Sequence, residues 1–193
     1  YRAANRLHVD TRESTLRAQL LFAEGDPYSR RLLEETERNL RRQRYLAEPE
    51  VHPVAYHDGV VDVEVHARDV WTLNPGVSLG RAGGKNSGGF AVEDLNLLGT
   101  GKQLGLGGSR DVDRSTLVLS WRDPNVFGTR WTDEIELAES DDGERRAVAV
   151  ERPFYALDAP WSAGVSAVAD RHAEDRYALG EVVDRYEVEG RSA

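Results

Sequence analysis

The 193-residue chain contains no cysteine and no methionine, and it has no long apolar run. Without cysteine there are no disulfides and no thiolate metal sites or nucleophiles; this suits a compartment that oxidises stray thiols, and it is equally compatible with chance. No stretch approaches the roughly 18 consecutive apolar residues of a spanning helix. Strands that alternate in a membrane barrel average out as polar, so they are not excluded. Cationic excess is also missing: the formal charge is −9, which argues against general nucleic-acid binding. The opening "YRAANRLH" carries neither an initiator methionine nor an apolar signal region. It is therefore expected to be a piece of a longer precursor.

The first seventy residues have mixed α/β grammar. In "HVDTRESTLRAQLLF", Asp10 is an expected helix N-cap with Glu13 three residues on, and Leu16 and Leu20 share a face. A second helix is expected after Ser29, with Tyr28 and Leu33 in staple positions and Leu32, Thr36 and Leu40 facing inward. Arg38, Arg41, Arg42 and Arg44 crowd its last turns, where cations suit the helix dipole. Asp58-Gly59 then predicts a hairpin. Val61, Val63, Val65 and Ala67 fall on one parity of its second strand, and Pro49 and Pro53 mark its first strand as an edge.

From Trp71 onward the period changes to two. Strand candidates follow in "WTLNPGVSLGR", "GGFAVEDLNLL", "KQLGLGGSR", "RSTLVLSWR", "RWTDEIELAE", "RRAVAVER" and "WSAGVSAVAD", with an eighth in "RYALGEVVDRYEVEG". In an up-and-down meander, one end collects "GRAGGKNSGG", "SRDVDRS" and "ESDDGERR". The other end collects "NLLGTGK", "RDPNVFGTR" and "ERPFYALDAPW". Trp71, Trp121, Trp131 and Trp161 all lie at the second end, and each shares parity with its strand's apolar face. A soluble sandwich has no reason to collect its indoles at one rim of one face. A membrane barrel does, because indole sits best where headgroups meet hydrocarbon. These four residues are the expected membrane-interface set. Asp133, on the same parity, is the one departure, tolerable near an interface.

The competing motifs fail on composition or context. "GTGKQ" has Asn96 and Gln103 where a phosphate loop needs glycine and Ser or Thr, and "GLGGSR" lacks the dinucleotide spacing. His52, His57 and His66 read as a polar strand face, and "DVD" and "DDGE" as solvated hairpin tips. No serine sits in a nucleophile elbow. Catalytic residues, metal ligands and cofactors are therefore expected to be none.

"NLLGTGK", "WRDPNVFGTRW" and "ERPFYALDAPW" resemble periplasmic turns of the bacterial surface-antigen barrel. "EGDPYSRRLLEETERNLRRQRYL" through "VDVEVHARDVWTL" resembles a POTRA module running into that barrel. The chain from about Asn5 to Ala169 is thus similar to the outer-membrane protein assembly factor superfamily, truncated within the barrel. Two features depart from the pattern: "YRAANRLH" does not supply the strand that opens a POTRA module, and the family's Val-Arg-Gly loop signature is absent.

The resemblance implies an α+β POTRA module over 1–70 lacking its first strand, then the N-terminal half of an antiparallel outer-membrane β-barrel over 71–193. It implies a non-enzymatic factor in the outer membrane of a Gram-negative cell, its POTRA module in the periplasm, that guides polypeptides by strand addition. The expected partners are unfolded outer-membrane or passenger polypeptides, the lipid bilayer and accessory periplasmic or lipoprotein subunits, with no nucleic acid. The expected polypeptide-binding edges are Val51, Val54 and Tyr56 in the module and Leu73, Val77 and Leu79 in the first barrel strand, where Pro75, Gly76 and Gly80 weaken pairing. The alternatives are a two-partner-secretion transporter of one dedicated passenger and a soluble β-sandwich adaptor that binds proteins with its edges.

Overall fold

A computed structural model describes residues 9–82, 84–111, 114–178 and 181–193. Residues 1–8, where the sequence reading finds no POTRA-opening strand, lie outside the described residues, as do Val112 and Asp113 of the "DVD" tip. The elements, in chain order, are α1 (Glu13–Arg17), α2 (Arg30–Arg41), β1 (Leu46–His57), β2 (Val60–Asp69), β3 (Leu73–Ala82), β4 (Lys85–Asp94), β5 (Gln103–Arg110), β6 (Ser115–Asp123), β7 (Thr132–Ser140), β8 (Gly143–Arg152), β9 (Ala163–Ala178) and β10 (Glu181–Ser192).

β1 and β2 form a two-stranded antiparallel sheet. Asp58 and Gly59 make its turn, both at positive φ (49° and 82°), as the tight primed hairpin turn requires. Each proline of β1 sits at a register irregularity, one between Ala47 and Glu50 and one between Pro53 and Ala55. A missing N–H is tolerated there. α2 packs on the hairpin through Leu33 and Leu40, and with Tyr45, Leu46 and Val51 these form the buried core. Leu16, Phe22, Val63, Val65 and Ala67 lie against it, so the expected apolar parity of β2 does face inward. Thr36 is fully buried and takes the Leu21 N–H on its Oγ1 (3.1 Å). Leu32 is only half-buried, because the inward stripe of α2 is centred on Leu33, Thr36 and Leu40.

α1 is shorter than its sequence pattern implies. It begins at Glu13 with Arg12, not Asp10, as its N-cap, and it ends before Leu20. The reason is tertiary. The Arg12 N–H donates to the Gly99 carbonyl in the turn between β4 and β5 (2.9 Å), so the backbone before Glu13 is committed outside the helix.

β3 to β10 form one eight-stranded sheet in sequential order, antiparallel throughout. β3 and β10 are its two edges and do not pair with each other, so the barrel-type sheet is open. Among the described residues no second sheet packs on it, which removes the sandwich architecture. Each expected strand is present, the eighth included. The glycine-rich "GRAGGKNSGG" is mostly paired strand rather than loop: Leu79 faces Gly88 and Gly80 faces Ser87.

The register aligns two chemically different faces. Leu104, Trp121, Ile135, Val148 and Ala167 follow one another across five strands, and Leu106, Leu119 and Leu137 form the next row. These side chains are exposed or half-buried, and Val77 and Leu79 on β3 reach 80% and 88% exposure. The opposite face carries a groove of about 400 Å³ whose lining includes Glu93, Gln103, Arg122, Glu134, Glu136 and Arg145. Arg122 pairs there with Glu134 (2.8 Å), and Arg145 pairs with Glu136.

Phe90 lies across Gly108, where any Cβ would strike its ring. Gly108→Val is expected to displace Phe90 and to lower the resistance of the folded barrel to heat only slightly. Phe90 is 52% exposed and can swing aside, so the cost is no more than the lower end of the roughly 1–3 kcal/mol of core overpacking. The check is the temperature at which the full-length protein loses its compact migration in detergent gels. An unchanged temperature would contradict the expectation.

Candidate functional site: the docked module and the open edges

The helical module sits under the end of the sheet where the turns β4–β5, β6–β7 and β8–β9 emerge, and it bonds to all three of them. The first two turns are built alike. In "DLNLLGT" and "DPNVFGT" an aspartate Oδ1 takes the N–H of an asparagine two residues on (Asp94 to Asn96, 3.0 Å; Asp123 to Asn125, 2.9 Å). The glycine N–H returns to that asparagine's carbonyl (Gly99 to Asn96, 2.9 Å; Gly128 to Asn125, 2.8 Å). The threonine Oγ1 donates to the residue after the asparagine (Thr100 to Leu97, 2.6 Å; Thr129 to Val126, 2.7 Å). Leu98 and Phe127, at matching positions, both have positive φ.

The first turn holds the start of α1. The Gly99 carbonyl accepts from the Arg12 N–H and from Thr15 Oγ1 (both 2.9 Å), and Arg12 Nε donates to the Leu98 carbonyl (3.1 Å). A Cβ on Gly99 would collide with the Asp10 carbonyl, and one on Gly101 would press on Thr15 and on the Tyr45 hydroxyl. Glycine here is required by close approach as well as by positive φ. Thr11 ties the layers together: its N–H donates to Asp69 Oδ2 (3.1 Å), and its Oγ1 accepts from Asn96 Nδ2 (2.7 Å). Burial pushes the Tyr45 phenol well above its ordinary pKa, with the Asp69 carboxylate adding to the shift.

The second turn holds the end of α1. Arg130 Nη1 donates to the Ala18 carbonyl (2.7 Å) and Nη2 to the Leu20 carbonyl, and Gln19 bonds Asn125. A guanidinium set on the carbonyls that end a helix is favourably placed. Burial draws Arg130 below the usual arginine pKa, and Arg152 pushes in the same direction. The third turn holds α2. Asn39 Nδ2 donates to the Tyr155 carbonyl (2.9 Å), the buried Glu35 accepts the Leu157 N–H (2.6 Å), and Arg31 pairs with Asp158 (2.5 Å). Hydrogen bonding to Arg31 lowers the Asp158 pKa.

The residues expected at the edges fall into two groups. Val51 is buried in the core, whereas Val54 and Tyr56, farther along β1, are 54% and 75% exposed. Leu73, Val77 and Leu79 lie on β3, which pairs only with β4 and leaves its other side open. The four tryptophans lie at the turn end of the sheet: Trp71 just before β3, Trp121 in the last turnward part of β6, Trp131 just before β7, and Trp161 just before β9. Trp71 and Trp161 are exposed. Trp131 and Trp161 have ring centroids 6.4 Å apart, and Lys102 stands over Trp121 (5.6 Å). Asp133 Oδ1 takes the Asp123 N–H (3.0 Å), which gives that carboxylate a local partner. Each of His52 and His57 faces a carboxylate, Glu64 and Asp62. Among the described residues no group of side chains is arranged to hold a metal.

Comparison with known proteins places these observations. The POTRA family, described as the surface antigen variable number repeat, has a model that matches residues 8–68. The fold is similar to the crystal structure of BamA from Haemophilus ducreyi lacking POTRA domains 1–3, with a TM-score of 0.63 and 18% identity over 94% of this chain and 40% of that one. The chain therefore spans two-fifths of that structure's length. No curated protein matches.

Sequence reasoning missed the docking residues Arg130, Gln19, Asn39 and Glu35. The repeated Asp-x-Asn-x-x-Gly-Thr pattern was a readable signal for the turns themselves. Arg130→Ala removes two donors from helix-end carbonyls, and charged hydrogen bonds of this kind contribute about 1.5–3 kcal/mol each. The expected outcome is a looser module. Spin labels on Glu34→Cys and Ser78→Cys in the full-length protein should give a broader distance distribution when Arg130 is replaced, and an unchanged distribution would refute the clamp.

Proposed function

We propose that the chain is the junction of an outer-membrane assembly or translocation factor, a POTRA module over 1–70 and the N-terminal half of a membrane barrel over 71–193. It acts without catalysis, guiding unfolded outer-membrane or passenger polypeptides by strand addition. The observation that carries this reading is an antiparallel meander whose apolar face is uncovered and whose first strand has an unpaired edge. In hydrocarbon, every backbone N–H and C=O must find a partner within protein. An open edge is therefore a strong acceptor for an incoming extended segment. The module's matching family and the barrel-type fold support the same reading. Its location is accordingly the outer membrane, with the module on the periplasmic side and Trp71, Trp121, Trp131 and Trp161 at the headgroup level. Accessory periplasmic or lipoprotein subunits are expected partners of the module.

Two edges serve. On β1, Val54 and Tyr56 present exposed apolar side chains beside an unpaired backbone, while Val51 anchors that strand to the core. On β3, Leu73, Val77 and Leu79 flank Pro75, Gly76 and Gly80, residues that weaken strand pairing. Glycine at positions 88, 89, 105, 107 and 108 continues this weakness into β4 and β5.

Photo-crosslinking side chains at Tyr56 and Leu79 are expected to capture an unfolded barrel client during insertion into reconstituted membranes. The same group at Val148, in the middle of the sheet, should capture little. Equal capture at all three positions would end the strand-addition reading. Capture of one passenger and no barrel client would favour a dedicated secretion transporter.

A further inference from the structure

We propose that the outward surface at the turn end of β7, β8 and β9 binds the phosphate of an anionic phospholipid, with Arg152 as its ligand and Trp131 and Trp161 as its walls. The proposal rests on the membrane-interface reading of the tryptophans and deepens it. Arg152 faces Ala163 and shares its side of the sheet with Val150 and Val148, whose partners are Val165 and Ala167. It therefore stands on the apolar face, at its turnward limit, rather than in the groove of the opposite face. Its guanidinium lies 3.8 Å from the Trp161 ring centroid and 4.8 Å from that of Tyr155. Arg130 stacks on the same Tyr155 ring at 5.0 Å.

The two arginines are compensated differently from those of the groove. Arg122 and Arg145 each have a glutamate. Among the described residues Arg152 donates only to the Trp161 carbonyl (2.7 Å) and the Tyr155 hydroxyl (3.1 Å), and Arg130 only to carbonyls of the module. Among the described residues neither forms an ion pair, although the chain carries a net charge of −9. Two cations around one aromatic ring, neither bonded to a carboxylate, make a local positive site; Asp133, on the same face beside Val150, takes the Asp123 N–H instead. Aromatic stacking and bonds to one carbonyl and one phenol hydroxyl hold the Arg152 fork in place, so little side-chain entropy remains to be lost on binding. The depth fits the ligand: valines lie on one side and solvent-facing turns on the other, which is where a lipid phosphate sits beside indole. A zwitterionic headgroup brings its own ammonium to its phosphate. A headgroup with net negative charge does not, and is preferred.

The test uses full-length protein in phosphatidylcholine vesicles containing a small fraction of brominated lipid, either phosphatidylglycerol or phosphatidylcholine. Quenching of Trp131 and Trp161 is obtained by difference from the Trp131→Phe/Trp161→Phe protein. Brominated phosphatidylglycerol should quench these two about fivefold more effectively, the enrichment that one cation near an anionic surface gives, and the excess should fade with salt. Arg152→Gln should abolish the excess and Arg152→Lys should keep most of it, with heat-modifiable migration confirming that each barrel is folded. Equal quenching by both lipids, an excess indifferent to salt, or an excess surviving in Arg152→Gln overturns the site while leaving the interface reading intact. Absence of quenching by either lipid overturns the interface reading itself.

Discussion

Backbone hydrogen bonding governs this molecule more than side-chain packing does. A core of five buried side chains in the module is small, and among the described residues no layer packs on the apolar face of the eight-stranded sheet. What holds the sheet together is an antiparallel ladder from β3 to β10, continuous but for one register shift between Val182 and Asp184. Such a ladder satisfies every interior strand and leaves its debt at the two ends. Open edges and an exposed apolar face would be faults in a soluble domain, inviting aggregation. In a bilayer the apolar face is solvated by lipid, and the edge becomes a place where another strand is stabilised. One constraint thus accounts for both the architecture and the proposed mode of action.

The module's position follows from the same accounting. Turns at a sheet end have carbonyls and N–H groups that the ladder does not use, and helices have unpaired groups at their ends. Here the two sets meet. The Gly99 carbonyl takes the N–H that precedes α1, and Arg130 caps the carbonyls that follow it. Glu35 on α2 reaches the Leu157 N–H in the third turn. Each turn engages a different part of the helical layer, so the module is held at three separated points and is not free to swing as on a single linker.

Much of this was readable in the sequence, for identifiable reasons. Alternation with period two gave the strands, because a sheet with one apolar and one polar face writes its geometry directly into residue parity. Asp58-Gly59 gave the hairpin, because few residues accept consecutive positive φ. The end of the meander that carries the tryptophans and the structured turns followed from strand parity and order alone. What failed was local. Asp10 looked like a helix cap, and its surroundings were recruited instead by Gly99, some ninety residues away in sequence. The glycine-rich tip looked like a loop, and its residues pair across β3 and β4. In both places a long-range partner overrode a short-range signal, and single-sequence patterns do not contain such partners.

The docking chemistry was illegible for a related reason. Arg130 sits in a turn full of polar residues, where its sequence neighbours give no hint that its targets are the Ala18 and Leu20 carbonyls. The same turn shows how one motif carries two jobs. Its Asp-x-Asn-x-x-Gly-Thr frame shares three internal hydrogen bonds between its copies at residues 94–100 and 123–129, while the spare groups of its asparagine and glycine are left to bond the module. The residues outside that frame are therefore free to differ. In the first copy the turn approaches the module so closely that Gly99 and Gly101 must remain glycine. In the second, Arg130 follows the frame and reaches into the module, while Phe127 at its apex stays fully exposed. A rigid frame with variable flanks lets turns at one end of a barrel keep the strand register fixed while presenting different chemistry to a helix, a membrane or a partner.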